Sequence, residues 1–151
     1  MINSRSLADL DPAVRVVCNE HLALCHAAGI ELIVTSTYRD YASQDELFAI
    51  GRTVQLERKP VTKAKAGKSW HNYRAAYDVV PIVSGKPVWN SRDPLWKEVV
   101  RLGKQAGAEA GADWKTFPDL PHFQYTPTLA GKHITLLEAR TRFDSLGTIF
   151  T

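Results

Sequence analysis

Two short stretches of the chain carry side chains that bind metals. In "SWHNYRAAYD", His71 is followed seven positions later by Asp78, and His122 lies in "FPDLPHFQY". Two histidines and one carboxylate are the usual protein ligands of a catalytic zinc ion, which keeps a further position open for water. The same set suits non-haem iron, although nothing else in the chain indicates oxygen chemistry. The three residues are therefore candidate ligands of a hydrolytic metal centre.

Asp78 gives a separate reason to expect a cation. It lies within "AAYDVVPI", an apolar stretch whose alternation is typical of a β-strand. An unpaired carboxylate is unfavourable there, so a cationic partner is expected. His71 and Asp78 alone fit a structural ion pair at least as well as a metal site. The third potential ligand, His122, favours a metal site over an ion pair.

Two further charged residues suit hydrolysis. Asp119 lies three residues before His122 in a turn bounded by prolines. A carboxylate that is not a ligand can take a proton from water and pass it to a leaving amine. Its simpler interpretation is a turn residue that caps backbone amides. Arg39, in "STYRDYASQ", could stabilise a developing oxyanion, or it could be an ordinary surface arginine.

The first third of the chain predicts a helix, a strand and a second helix. Asp11-Pro12 is a helix start, and Gly29 ends that helix. The β-branched run "IELIVTST" predicts a strand. Ser43 and Glu46 then form a capping-box pattern that predicts the start of a short helix.

The rest of the chain predicts short strands and two more helices. "SGK" is a turn between "AAYDVVPI" and "PVW", and Asp93-Pro94 starts a helix. "ADW" and "PHFQY" are candidate strands, and "ITLLEARTRF" is a candidate helix. With no internal repeat or linker, residues 1–151 are expected to form a single α+β domain. Its small, mostly antiparallel sheet is flanked by helices.

Composition is that of a globular protein, with 44% hydrophobic and 23% charged residues in 151. The sequence has no apolar run long enough to span a membrane and no secretory signal pattern, so synthesis in the cytoplasm and no membrane insertion are expected. Cys18 and Cys25 are expected to be buried free thiols. His21 lies on the apolar face of the first helix and is expected to pack there.

The net charge of +3 is mild, but its cations are concentrated in one segment, residues 52–68. We call this the basic segment; its cationic residues are Arg52, Arg58, Lys59, Lys63, Lys65 and Lys68. Its sequence is typical of a long loop. The loop could be simply solvated, or it could form a basic rim beside a site for an acidic substrate. It lacks interleaved aromatic residues and a recognition motif, so no nucleic acid partner is expected.

The combined pattern resembles a known family, the zinc peptidases that include D-Ala-D-Ala carboxypeptidases, D-Ala-D-Ala dipeptidases and phage L-alanyl-D-glutamate endolysins. The family pattern is Ser-x-His-x6-Asp followed by Asp or Glu-x-x-His. Its counterparts here are Ser69, His71, Asp78, Asp119 and His122. "TSTYRDYASQDELFAIGR" and "AGADWKTFPDLPHF" are similar to further family segments, so matching features run from about residue 30 to residue 125.

The resemblance implies a hedgehog-like or DD-peptidase-like fold and a role for each matching residue. One zinc ion would be bound by the two histidines and Asp78. Asp119 would act as general base and then acid, and Arg39 would polarise the scissile carbonyl. Ser69 and Gln44 would line the cleft, contact substrate or support the ligands.

One position departs from the family pattern. The family has glycine in Ser-x-His-x-x-Gly-x-Ala-x-Asp, and Arg74 stands at that place. If the position needs a positive φ, arginine adds strain of about 1 kcal/mol; otherwise the local turn differs.

The function that the resemblance implies is hydrolysis of a peptidoglycan stem-peptide amide, most simply L-alanyl-D-glutamate. The enzyme would be a monomer of the phage endolysin type that reaches the wall after membrane disruption. A D-Ala-D-Ala carboxypeptidase is an alternative within the family. A non-catalytic, zinc-containing wall-binding module of the same fold is another, and Asp119 argues against it.

Overall fold

In a computed structural model that describes residues 1–150, five strands form the main sheet. They are β1 (Glu31–Ser36), β2 (Ala76–Val83), β3 (Lys86–Pro87), β4 (Glu109–Ala110) and β5 (His122–Gln124). Their order is β1-β2-β5-β4, with β3 paired to β2, and every pairing is antiparallel. The predicted antiparallel sheet and the predicted β2–β3 hairpin are confirmed.

Four α-helices accompany the sheet: α1 (Pro12–Ala27), α2 (Tyr41–Ala49), α3 (Leu95–Gln105) and α4 (Leu136–Leu146). Helix α1 begins at Pro12 as predicted, because the Asp11 side chain accepts a hydrogen bond from the backbone N–H of Ala13. Helix α4 begins with a capping box between Thr135 and Glu138. The predicted helices are all present.

One predicted helix boundary and one predicted strand are wrong. Helix α2 begins at Tyr41 rather than at Ser43, because the Asp40 carboxylate caps it by accepting the backbone N–H of Ser43 at 2.8 Å. The stretch "ADW" is not a strand. Residues Gly111–Asp113 form a 3-10 turn, and the strand of that region is the preceding β4.

One face of the sheet is covered by α1 and α3 and forms the core; we call it the core face. Tyr77 and Phe123 lie opposite each other on β2 and β5, with ring centroids 5.8 Å apart. His21 of α1 packs edge-on against Phe123 at 4.6 Å and is fully buried, which confirms the prediction for this residue. Gly103 lets α3 approach β5 closely, since a Cβ at this position would lie 2.6 Å from the Phe123 ring.

The C-terminal part adds a small hairpin that the sequence did not predict. Its strands are β6 (Thr128–Leu129) and β7 (Lys132–His133). Thr126 ties it to the sheet by donating to Glu109 and contacting His133 Nδ1, each at 2.8 Å. Cys18 and Cys25 are both free and buried, as expected. Among residues 1–150, no helix has the length and apolarity that crossing a bilayer requires.

Candidate metal centre and catalytic cleft

The register of the sheet brings two of the predicted ligands together. Asp78 on β2 pairs directly with His122 on β5, so both side chains leave the same face of the sheet. This face is opposite to the core face, because side chains alternate and the next pair is Tyr77 with Phe123. We call it the site face. Asp78 Oδ1 lies 3.4 Å from His122 Nδ1.

His71 reaches the same point from a 3-10 turn, Trp70–Tyr73, that precedes β2. Its Nε2 lies 3.3 Å from Asp78 Oδ1. One ligand atom from each of the three residues lies within 4.8 Å of the others. The structure therefore assembles the predicted set of His71, Asp78 and His122.

Each histidine donates a hydrogen bond to a protein oxygen from the ring nitrogen that does not face Asp78. His71 Nδ1 lies 2.7 Å from the Thr37 carbonyl oxygen, which can only accept, so the proton is on Nδ1. His122 Nε2 lies 2.8 Å from Gln124 Oε1, which accepts in the same way. In the neutral form of each ring, the other nitrogen, which faces Asp78, is then an unprotonated electron-pair donor. This is the ring orientation that metal-binding histidines normally have.

The electrostatics of Asp78 fit a cation site. Burial acts to raise the pKa of Asp78, but the positive charge and the N–H groups that His71 and His122 present to it when protonated outweigh burial and hold the pKa below its ordinary value. The side chain is therefore an ionised carboxylate. Two imidazole nitrogens and one carboxylate oxygen form a donor set that suits a catalytic divalent ion such as zinc.

The turn that presents His71 is fixed by its neighbours. Ser69 Oγ accepts the backbone N–H of His71 at 3.3 Å, and Asn72 Oδ1 accepts the N–H groups of Gly67 and Ser69 at 3.0 and 3.3 Å. Ser69 also lines the cleft described below. It thus orients a predicted ligand, and its hydroxyl lies close to where a substrate would bind.

Arg74 ends this turn in the left-handed conformation, with φ of 59°. The position therefore has the positive φ that favours glycine, and arginine adds strain of about 1 kcal/mol. Two contacts offset the strain. Arg74 Nη1 donates to the Asp9 carbonyl at 2.9 Å, and the guanidinium lies 4.0 Å from the centroid of the Tyr38 ring.

Arg39 lies beside the predicted ligands, at the end of β1. Its Nη1 donates to Gln44 Oε1 at 2.9 Å, and its Nη2 donates to Ser36 Oγ at 3.3 Å. Its buried Nε has no partner among residues 1–150. Burial lowers the pKa of Arg39, while the charges of Asp78 and Asp119 favour its ionised form. A cation is thus held next to the metal-binding group.

The predicted substrate contact of Gln44 needs correction. Its side chain is fully buried, because it packs behind Arg39 and does not line the cleft. Its amide Nε2 donates to the Ala64 carbonyl at 2.7 Å. Gln44 therefore connects Arg39 to the basic segment, which agrees with the supporting role that was the other expectation for it.

Asp119 lies in the turn before β5 and lines the cleft. Its backbone N–H donates to the Gly111 carbonyl at 2.9 Å, but its carboxylate accepts no hydrogen bond within residues 1–150. It is therefore not a turn residue that caps local amides. The cleft walls raise the pKa of Asp119 by desolvation, and the Asp78 charge raises it further. Such a carboxylate is available to accept a proton.

The cleft over the metal-binding group has a volume of about 930 Å³. One wall is part of the basic segment, residues 60–64, continuing into residues 68–70. Trp114 and residues 116–119 form another part of its lining. The Trp114 ring lies 4.8 Å from the His122 ring.

Two supporting residues were not found by sequence reasoning. Gln124 follows His122 by two positions on the same strand, and this alternation is the signal that could have identified it. Asn72 donates its Nδ2 to the distant Arg39 carbonyl at 2.9 Å, and its capping-box spacing of three positions from Ser69 is the local signal that could have identified it.

Comparisons with known proteins agree with this geometry. A family model described as D-alanyl-D-alanine carboxypeptidase matches residues 62–125. The peptidoglycan L-alanyl-D-glutamate endopeptidase CwlK of Bacillus subtilis (strain 168) is 35% identical over 128 residues, covering 80% of this chain and 75% of that protein.

Solved structures share the fold. The L-Ala D-Glu endopeptidase ChiX of Serratia marcescens aligns with a TM-score of 0.60 and 25% identity, covering 83% of this chain and 89% of that chain. The vancomycin resistance D,D-pentapeptidase VanY, solved in complex with Zn(II), aligns with a TM-score of 0.60 and 14% identity, over 92% of this chain and 80% of that one. The predicted fold class is confirmed. This chain belongs to the D-alanyl-D-alanine carboxypeptidase family of peptidases.

Proposed function

We propose that this protein is a zinc-dependent peptidoglycan endopeptidase that hydrolyses the L-alanyl-D-glutamate bond. The observation that carries the proposal is the convergence of His71 Nε2, Asp78 Oδ1 and His122 Nδ1 at the base of an open cleft. The choice of bond is supported by the 35% identity to the Bacillus subtilis endopeptidase.

Each residue around the metal-binding group would have its own role in the reaction. When bound, zinc would supply a Lewis acid that lowers the pKa of water and polarises a carbonyl. Asp119 would take a proton from the attacking water and deliver it to the leaving amine. Arg39, held by Gln44 and Ser36, would stabilise the negative charge that develops on the scissile carbonyl oxygen.

Two alternatives within the same fold make different predictions. A D-Ala-D-Ala carboxypeptidase is favoured by the description of the matching family model. A non-catalytic wall-binding module is disfavoured because Asp119 and Arg39 both line the cleft, where a binding module would not need them.

Digestion of purified murein, followed by mass spectrometry, separates these functions. We expect products with a new C-terminal L-alanine and a new N-terminal D-glutamate, no products after chelation, and recovery with added zinc. An Asp119→Asn variant is the matched negative control. Release of D-alanine alone would identify a carboxypeptidase, and binding of murein without any product would identify a binding module.

The narrower proposal of a role in host lysis, as for phage enzymes, is supported by the resemblance of "AGADWKTFPDLPHF" to the endolysin branch. Expression inside a bacterial cell tests it. We expect growth to continue until the membrane is permeabilised and lysis to follow at once. Lysis without permeabilisation, or none after it, would contradict this role.

A further inference from the structure

The cleft carries more positive charge than the reaction itself requires. Besides Arg39, three cationic side chains of the basic segment line it: Arg52, Lys63 and Lys68. The acidic residues among its lining are Asp78 and Asp119, which belong to the metal-binding end. The wall made by the basic segment is therefore positively charged.

Two of these cations are held in place by aromatic rings. Lys63 Nζ lies 2.8 Å from the centroid of the Phe117 ring, which also lines the cleft. The Arg52 guanidinium lies 3.8 Å from the centroid of the Phe48 ring, and its Nη1 donates to the Phe48 carbonyl at 2.7 Å. Their charges are thus oriented rather than freely mobile.

The cationic side chains of this wall have no acidic partners. None of Arg52, Lys63 and Lys68 forms an ion pair with any of residues 1–150. Most other lysines and arginines of the chain are likewise unpaired, so what distinguishes these three is that they line the same cleft. Uncompensated charges of one sign along a cleft attract ligands of the opposite sign.

We propose that Lys63 and Lys68, with Arg52 beside them, form a subsite for the free carboxylate of the D-glutamyl residue of the substrate. The inference rests on the proposed function, because cleavage of L-alanyl-D-glutamate makes this residue the leaving group. A glutamyl residue within a chain uses one of its two carboxyl groups to continue the chain and leaves the other ionised. Charge-assisted hydrogen bonds from the lysines would select that carboxylate over a neutral amide.

A pair of synthetic stem peptides tests the subsite. One contains L-Ala-D-Glu with the free carboxylate, and the other carries the corresponding amide. The wild-type enzyme is expected to prefer the carboxylate by about tenfold in kcat/KM, mainly through KM. The double variant Lys63→Gln with Lys68→Gln should reduce the preference to about twofold or less, mainly by raising KM for the carboxylate peptide.

The double variant Lys59→Gln with Lys65→Gln is the matched control, because it removes two positive charges from the same segment at positions that do not line the cleft. It should keep the wild-type preference. The KM for the carboxylate peptide should also rise with salt in the wild type and much less in the double variant.

The outcomes distinguish the two proposals. Equal cleavage of both peptides by the wild type, or an undiminished preference in the double variant, would overturn the subsite alone. Equal loss of preference in the Lys59→Gln, Lys65→Gln control would also overturn it, since the effect would then come from overall charge. Failure of the wild type to cut either peptide would overturn the proposed function, and the subsite with it.

Discussion

The two faces of the main sheet use histidine in opposite ways. On the core face, His21 has a protein partner for both ring nitrogens: Nε2 donates to the Val99 carbonyl at 2.8 Å, and Nδ1 accepts from the Tyr77 hydroxyl at 2.9 Å. On the site face, His71 and His122 each donate one nitrogen to a protein oxygen and direct the other at Asp78.

All three histidines are buried, so burial does not separate them. What separates them is the partner of the second ring nitrogen: a tyrosine hydroxyl for His21, and one shared carboxylate for His71 and His122. A ring whose partners are a carbonyl and a hydroxyl adds packing and hydrogen bonds to the core. Two rings that point at one carboxylate are prepared for a cation.

Removing a histidine from the site face should have the largest effect on zinc binding and activity. His122→Ala is expected to lose bound zinc and to lower kcat/KM by more than about 10²-fold. That is more than the loss expected when only a residue that supports a metal ligand is removed, which is about 10- to 100-fold. Metal analysis and peptide hydrolysis measure this. The core-face variant His21→Gln is the control and should keep its zinc. An active, zinc-containing His122→Ala protein would break the distinction between the faces.

Asp119→Asn should separate chemistry from metal binding on the site face. The amide keeps the shape but cannot take a proton, so kcat should fall by about 10²- to 10⁴-fold. Zinc content should stay at the wild-type level. If zinc is lost instead, Asp119 is a ligand and the metal-binding group has been assigned incompletely.

Gln124→Ala should have a smaller effect on the same face. It removes the acceptor that fixes the orientation of His122, and zinc affinity should weaken by about 10- to 100-fold. Competition with a chelator of known affinity measures the change. Gln124→Glu, which retains an acceptor, is expected to keep tight binding. Equal weakening in both variants would show that the orientation of His122 does not depend on this hydrogen bond.

On the core face, Tyr77→Phe should change stability and leave zinc bound. It deprives His21 Nδ1 of its donor in a buried environment, which should lower the free energy of unfolding by about 1–3 kcal/mol. Chemical denaturation with zinc analysis measures both quantities. Loss of zinc in this variant would mean that the faces are not independent.

The smallest effect concerns pH. Burial lowers the pKa of His21 in the folded protein, while its hydrogen bond to Val99 acts in the opposite direction. The unfolded chain therefore takes up this proton more readily, so the contribution of His21 to stability is present above about pH 6.5 and is lost as the pH falls below it.

The pH effect is measured as the difference between wild type and His21→Gln, since loss of zinc in acid is common to both proteins. The free energy of unfolding of the wild type should fall more steeply below about pH 6.5. Parallel curves would show that His21 does not titrate differently on folding.

The sequence predicted the elements and residues whose signals are local. Asp78 within an apolar alternating run predicted strand β2. Two histidines and one carboxylate, together with the family pattern that they match, predicted the metal-binding set. Asp11 before Pro12 predicted the start of α1, which the structure confirms.

Features that depend on tertiary contacts were not predictable in the same way. Asp40 and Ser43 are both suitable helix caps, and local sequence does not decide which one the backbone uses. Gln44 matched a family segment, but whether it faces the cleft or packs behind Arg39 is set by the distant Ala64 carbonyl. The acceptor for His71 is a backbone carbonyl, that of Thr37, which no residue type reveals.

The most direct test of the account is a crystal structure of the zinc-loaded protein with anomalous data collected at the zinc edge. We expect one peak bonded to His71 Nε2, Asp78 Oδ1 and His122 Nδ1, with nitrogen distances of about 2.0–2.1 Å. A peak at another place, or a zinc ion that leaves one of these three atoms unbound, would contradict it.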